Sequence, residues 1–464
     1  MTSDTPISIS LPARLRAALT HGSGHGSILL RGSLQAAIVS GVGVVLSFGT
    51  QLILARSLGA DDYGTYAVVL SWLNVLQIFA TLGLENAAVR FASTYARGGD
   101  WASVQAYSRF AVRCVLLSSV TLTALGGGVL LLRQGLAPGL RLPLVTLVIL
   151  LPCYAILAVQ SAILQGSGNI IGAQAPNAVA RPLIFVALVL SAMVYAGHRL
   201  PPTEVLLLNG TAGIVVVLVS GWLIHRHAGG VVASSTEEQR REWLRVSLAL
   251  LTMSILQMGA SQQLGIFIVG LLRTPREAGI YSAATQLSLP LLLGIQAVQF
   301  VAAPMMADLH ARQRIPELQR VVTLAFLGSA AFAIPCFLGI VVFGRWALGL
   351  YGPAFVAGYP ILLVLSATAV VVALGGGIGS WLLSVTGNER VGIQIVAMAA
   401  TCNLVMSVVL VHKFGTLGAA AAAGLAVLLR FVLVASYTRR RMGIKLLPIG
   451  PAIAWARETL NSRQ

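Results

Sequence analysis

Long apolar runs, closely spaced from one end of the chain to the other, constrain this sequence more than any other feature. About 20 mainly apolar residues cross the ~30 Å of hydrocarbon in a bilayer. Twelve such stretches are present, at 34–55, 65–86, 108–132, 143–165, 178–197, 203–225, 247–272, 279–303, 321–344, 358–384, 391–411 and 416–437. The runs are continuous rather than alternating, which excludes a membrane β-barrel. A spanning segment must satisfy its own backbone hydrogen bonds, so each run is expected to be a helix. Only 10% of the 464 residues are charged, against about one-quarter in a soluble domain. The expected class is all-α: a polytopic membrane protein of about twelve transmembrane helices.

The net charge of +17 could attract nucleic acid. The arginines sit between the apolar runs instead of on one soluble face, so no nucleic-acid partner is expected. Their placement sets orientation, because loops rich in Lys and Arg stay in the cytoplasm. With the N-terminus inside, 22 Lys and Arg fall on the cytoplasmic side and 8 outside; Arg430 lies within the last span. Both termini are therefore expected in the cytoplasm. The first apolar run is too long for a signal-peptide core, so no cleaved leader is expected.

The chain repeats itself. A shift of 215 lays Asp62 on Glu277, Gly64-Thr-Tyr66 on Gly279-Ile-Tyr281 and Tyr95-Ala-Arg97 on His310-Ala-Arg312; a shift of 219 lays Gly168-Asn169 on Gly387-Asn388. Six spans per half is an even number, so the halves share one topology and form a parallel repeat. The expected organisation is a cytoplasmic segment 1–33, an N-lobe 34–226, a cytoplasmic linker 227–246, a C-lobe 247–437 and a basic cytoplasmic tail 438–464. In the tail, Ile449 to Trp455 is apolar but too short to span, and is expected on the membrane surface. Cys114, Cys153, Cys336 and Cys402 each lie inside an apolar run. They carry no metal or redox spacing, and His21 and His25 make a poor metal pair. No catalytic residue, metal site or cofactor is expected.

Polar groups inside spans are costly and mark candidate sites. Arg430 lies about 14 Å along its helix from the Arg439-Arg440-Arg441 cluster, and its side chain leans away from that surface. Arg90 leans into the membrane by the same rule, Arg181 leans out of it, and Arg56 ends the first span with a gating or structural role. Polar stripes follow helical spacing: Ser40, Gly43, Ser47 and Gln51; Ser71, Asn74, Gln77, Thr81 and Glu85; Ser254, Gln257, Ser261 and Gly265; Ser282, Thr285, Gln286 and Gln296. Any one of them could simply join helices. Four stripes at matched places in two halves could also line a wet cleft. The candidate substrate-binding set is Arg430, Arg90, Arg56, Arg181, Gln51, Asn74, Gln77, Glu85, Gln257, Ser261, Gln286 and Gln296.

The stretch Leu54-Ala-Arg-Ser-Leu-Gly-Ala-Asp-Asp-Tyr-Gly-Thr-Tyr66, followed by Leu82-Gly-Leu-Glu-Asn-Ala-Ala-Val-Arg-Phe91, resembles the polysaccharide transporter branch of the multidrug/oligosaccharidyl-lipid/polysaccharide (MOP) exporter superfamily. The resemblance implies a V-shaped, MATE-like transporter of two six-helix lobes in the bacterial inner membrane, not an enzyme. It implies a flippase for undecaprenyl-pyrophosphate-linked oligosaccharide, the repeat unit of O-antigen or exopolysaccharide. The partners implied are the polyprenyl-pyrophosphate-linked glycan, membrane lipids, and polysaccharide polymerase and chain-length machinery. Two alternatives stay open: a cation-coupled multidrug antiporter, which would prefer an intramembrane carboxylate, and a membrane-embedded sugar polymerase or ligase, which would prefer a long outside loop.

Overall fold

The computed structural model describes residues 25–132, 138–197, 200–227, 235–444 and 446. The polar N-terminal stretch with His21, and the Ile449 to Trp455 patch, lie outside them. The described elements are α1 (His25–Thr81), α2 (Leu84–Arg97), α3 (Trp101–Leu132), α4 (Pro138–Val145), α5 (Leu147–Gly166), α6 (Ile170–Ala175), a π turn (Pro176–Ala180), α7 (Arg181–Ala196), α8 (Pro202–His227), α9 (Glu237–Gly259), α10 (Gln263–Leu272), α11 (Pro275–Ser288), α12 (Pro290–Ala311), α13 (Ile315–Tyr351), a 3-10 turn (Pro353–Gly358), α14 (Tyr359–Val371), a second π turn (Val372–Gly376), α15 (Gly377–Val385) and α16 (Glu389–Met442).

These elements make twelve crossings. Helix α1 is two spans joined at Gly59 (φ 80°) and α16 is two joined at Gly415 (φ 60°). Both breaks use a positive φ with an extended ψ, a backbone conformation open to glycine and strained for any residue with a Cβ. An even number of crossings brings the start of α1 and the end of α16 to one side, called here the near side; Gly59 and Gly415 turn at the far side.

Several spans differ from the sequence expectation. The second was placed at 65–86, but the helix stops at Thr81 and restarts at Leu84. Between them Leu82 (φ 51°) and Gly83 (φ 74°) turn the backbone, so Glu85 does not continue the stripe of Ser71 and Asn74. The seventh, expected as one helix over 247–272, is broken: α9 and α10 meet at 71°. A break leaves backbone carbonyls without helical partners. Here the buried Asn403 on α16 donates from Nδ2 to the Gly259 carbonyl at 2.9 Å and the Ser261 carbonyl at 3.3 Å. Ser407 Oγ in turn donates to Asn403 Oδ1 at 3.2 Å. Asn403→Ala leaves these carbonyls unmet at a cost of about 1–3 kcal/mol, read as a lower melting temperature in detergent.

Within α1–α8 the packing centres on α5, which lies against α1, α2, α3 and α8. In the second half α16 lies against α9, α10, α14 and α15, while α12 packs on α13. The halves meet where α1 runs along α11 and α2 along α9. On the far side one apolar core is shared by both halves: Leu54, Tyr63 and Val68 join Ile266, Tyr281, Leu348, Tyr351 and Phe355. On the near side the second half has a core of its own, around Met306, Leu318, Val322, Leu382, Ile395 and Val434. The second lobe thus has a near-side core separate from the larger one, which crosses the lobe boundary on the far side and also, through Phe91, Tyr107 and Trp243, on the near side.

The repeat is visible at the seam. A Cβ on Gly64 would lie 1.8 Å from the Pro275 carbonyl oxygen, and one on Gly279 would lie 2.8 Å from Gly64 Cα. The two glycines matched by the shift of 215 thus touch each other, as equivalent residues do on a two-fold axis. Gly64→Ala has only rigid backbone to push against. Overpacking of this kind costs about 1–3 kcal/mol, which shifts a two-state seam by about 5–150-fold. The expected readout is faster thiol labelling of Ser282→Cys from the far side when Gly64→Ala is present.

Candidate functional site: three cavities between and within the lobes

The far-side seal is built from polar and aromatic contacts around the glycine pair. Arg56 Nε donates to the Leu350 carbonyl at 2.5 Å, and Arg276 Nη1 stands 4.0 Å from Asp61 Oδ2. Tyr63 meets Phe355 edge-on at 5.6 Å, and Phe48 meets Tyr351 at 5.9 Å. Arg56 therefore ties the end of the first span to the second lobe.

Behind the seal lies a pocket of about 100 Å³ between the lobes, lined by Gln51, Asn74 and Gln286 together with Tyr66, Ser71, Gln263 and Ser282. Tyr63 donates its hydroxyl to Gln51 Oε1 at 3.1 Å, which orients that amide. A second pocket of about 70 Å³ runs from Gln51 into the first lobe, past Ser47, Thr50 and Arg181. Arg181 lies over the Tyr154 ring at 4.6 Å, a cation–π contact that holds the guanidinium on a span. Tyr154 donates to Asn209 Oδ1 at 3.0 Å, and Asn209 Nδ2 donates to the Tyr66 hydroxyl at 2.9 Å. This chain of bonds joins three spans beneath Arg181.

The largest of these cavities, about 660 Å³, is in the second lobe. It lies between α9 on one side and α15 and α16 on the other. The break in the seventh span swings α9 toward the first lobe, where Asn86 Nδ2 donates to Ser254 Oγ at 2.8 Å. Gln257, Ser261, Ser380, Glu389 and Arg430 supply its polar wall; Leu250, Met253, Leu383, Ile393, Ile395, Val396 and Val434 supply an apolar one. Arg430 Nε is buried with no hydrogen-bond partner. A buried guanidinium donor left unmet is expensive, and it is a vacant donor for an anion.

The remaining candidates stand elsewhere. Arg90 is exposed on α2, outside these cavities. Gln77 and Glu85 are half-buried and line none of the three. The Gln296 side chain lies outside the described residues. Several stripe hydroxyls bond their own helix: Ser71 Oγ to the Val68 carbonyl, Thr81 Oγ1 to Ile78 and Thr285 Oγ1 to Tyr281. Sequence reasoning passed over Tyr66, Tyr154, Asn209, Gln263 and Glu389. Asn209, a carboxamide in the middle of an apolar run, was the readable signal among them.

Comparison with known proteins agrees with this architecture. Residues 29–310 match the model of a family described as polysaccharide biosynthesis protein. The chain belongs to this family. A relative across the family is the probable low-salt glycan biosynthesis flippase Agl15 of Haloferax volcanii, 24% identical over 426 residues that cover 90% of this chain and 85% of the relative. An inward-facing multidrug resistance MATE transporter of the MOP superfamily superposes with a TM-score of 0.67 at 15% identity, covering 88% of this chain and 98% of its own. The lipid II flippase MurJ, in an inward closed conformation, superposes at 0.66 and 14% identity, covering 88% and 87%. These likenesses show a MOP-type transporter fold in a multi-pass membrane protein. The family match over residues 29–310 agrees with the branch that the Leu54 to Tyr66 stretch resembles.

Proposed function

We propose that this chain is a flippase that carries a polyprenyl-pyrophosphate-linked oligosaccharide across the bacterial inner membrane by alternating access. The carrier is undecaprenyl and the cargo an O-antigen or exopolysaccharide repeat unit, handed on to polymerase and chain-length machinery. The near side is cytoplasmic, in keeping with the charge bias of 22 against 8. The moving bodies are the lobes 34–226 and 247–437, joined by the linker 227–246 and followed by the basic tail.

The observation that carries this reading is the second-lobe cavity, where a buried Arg430 donor without a partner faces the same space as a long apolar wall. A prenyl pyrophosphate needs both: positive charge for its phosphates and apolar contact for its first isoprene units. Bringing the phosphates into hydrocarbon without such donors costs several kcal/mol per unmet group. Arg181, stacked on Tyr154 in the other lobe, offers a second cation when the lobes rearrange. The shared far-side core closes the path outward, so cargo enters from the near side and leaves after the seam at Gly64 and Gly279 parts.

The test is purified protein in liposomes loaded with a fluorophore-tagged undecaprenyl-pyrophosphate oligosaccharide, with a membrane-impermeant quencher outside. Protein-dependent transfer between leaflets is the expected result. Ethidium efflux driven by an ion gradient, without glycan transfer, is the antiporter's result. Elongation or ligation of the glycan is the enzyme's.

A further inference from the structure

A fourth cavity, of about 260 Å³, lies on the near side of the first lobe, and no arginine lines it. Ser40 of α1, Ser161 and Gln165 of α5, and Gln174 and Asn177 of the sixth helix and its π turn line it, with Ala173 and Ala178. All five polar groups are neutral, and each hydroxyl or carboxamide can both give and take hydrogen bonds. Ser40 Oγ donates to Gln174 Oε1 at 3.3 Å, which fixes that amide against the rim. Ser161 Oγ is buried without a partner. At ~30 Å³ per molecule, the volume equals that of about nine waters, enough for one pyranose ring with its hydroxyls.

The shape has a local cause. Pro176 has no N–H to give the ladder, and the helix answers with the π turn Pro176–Ala180. Such turns insert one residue and recur at functional positions. Here Asn177 opens on the cavity and Ala178 packs on Gly43, where an added Cβ would stand 2.8 Å from Ala178 Cβ. Gly43 lies between Ser40 and Gln51 on one face of α1. That face therefore runs about 16 Å from this cavity to the pocket between the lobes, covered midway by the π turn. Carboxamides and hydroxyls facing acyl chains would be costly, so the cavity opens on the aqueous side.

We propose that this cavity is a subsite for an uncharged sugar ring of the lipid-linked glycan, on the side from which the cargo is loaded. The assignment rests on the flippase reading and adds the chemistry of the sugar. A neutral lining matches hydroxyls and an N-acetyl group. It gives no counter-charge to a uronic acid, whose carboxylate would lose its water uncompensated. The pyrophosphate and the sugar are thus read by different lobes.

The test measures binding to the full chain in lipid nanodiscs, with three probes: geranyl diphosphate, geranyl diphosphate bearing a neutral glucose tetrasaccharide (the glucosyl probe), which is long enough to reach from one lobe to the other, and geranyl diphosphate bearing a glucuronic acid tetrasaccharide. The expected result is at least ten-fold tighter binding of the glucosyl probe than of the other two. The double variant Gln174→Ala/Asn177→Ala brings the glucosyl probe down to the bare probe and leaves the bare probe unchanged, which also reports that the variant is folded. If the double variant does not fold, Asn177→Ala alone, at an exposed position, is to cost the glucosyl probe at least three-fold. Equal binding of glucosyl and bare probes, or a glucosyl preference that survives both variants, overturns the subsite and leaves the flippase reading standing. No binding of any probe overturns the flippase reading and this proposal with it.

Discussion

Arg430→Ala is expected to abolish transfer of the lipid-linked glycan while the protein still inserts and folds in normal amount. Removing one partner of a buried, hydrogen-bonded charge pair costs about 2–5 kcal/mol, a loss of roughly 30-fold to several thousand-fold in affinity for a prenyl pyrophosphate. The free protein loses little, because the Nε it gives up is already without a partner. Arg430→Lys restores the charge but not the planar fork that meets two phosphate oxygens at once, so it is expected to recover part of the affinity. Arg90→Ala is the contrast. Arg90 is exposed and lines none of the three candidate-site cavities, so its substitution leaves geranyl diphosphate binding unchanged. Isothermal titration with geranyl diphosphate reads both variants, and equal binding by wild type and Arg430→Ala would remove the cation from the mechanism.

Trp243→Ala has the largest expected effect on stability. This residue opens α9 and is fully buried in the first lobe, although it belongs to the second half of the sequence. Its ring meets Tyr107 edge-on at 5.1 Å, Phe110 at 5.3 Å and Phe91 at 6.4 Å, and its Nε1 donates to the Tyr95 hydroxyl at 3.0 Å. Deleting a buried tryptophan costs about 3–5 kcal/mol. Because the nest anchors α9 across the lobe boundary, that energy holds the near-side end of α9 against α2. A capping box, in which Thr236 and Gln239 bond each other's backbone N–H, starts the helix at this point. The expected results are a lower unfolding midpoint and slower disulfide formation between Asn86→Cys and Ser254→Cys, whose wild-type side chains are hydrogen-bonded. Trp243→Phe keeps the ring packing and loses one bond, worth about 1 kcal/mol. An unchanged crosslinking rate in Trp243→Ala would mean that α9 is held by something else.

The spans and the two-fold repeat were legible because both rest on composition and on residues with few substitutes. Glycine is required where Gly64 and Gly279 touch, and the match at a shift of 215 marks the two as equivalent positions. The breaks were harder to read. Gly59 and Gly415 turn inside otherwise helical sequence, and α9 parts from α10 at Ala260-Ser261-Gln262 with no proline to mark it. That bend is underwritten by Asn403, more than 140 residues away, a tertiary partner that local pattern cannot show. The site divides the same way. Arg430 stood out as a charge in an apolar run. Tyr154, Asn209 and Tyr66 did not, since one hydroxyl or amide in a span is ordinary helix-joining chemistry. Gln51, Asn74 and Gln286, each from a different polar stripe, line one pocket. The stripes failed for Glu85, because the helix carrying the stripe ends at Thr81.

In the proposed mechanism position 430 faces a hydrated, anion-accepting cavity within the membrane. The most direct test is Arg430→Cys in a background with Cys114, Cys153, Cys336 and Cys402 replaced by alanine, labelled by a charged, membrane-impermeant thiol reagent from each side in turn. The expected result is reaction from the near side and protection by geranyl diphosphate. A thiol that resists the charged reagent from both sides, yet reacts with a lipid-soluble maleimide, would put residue 430 among acyl chains and contradict the mechanism.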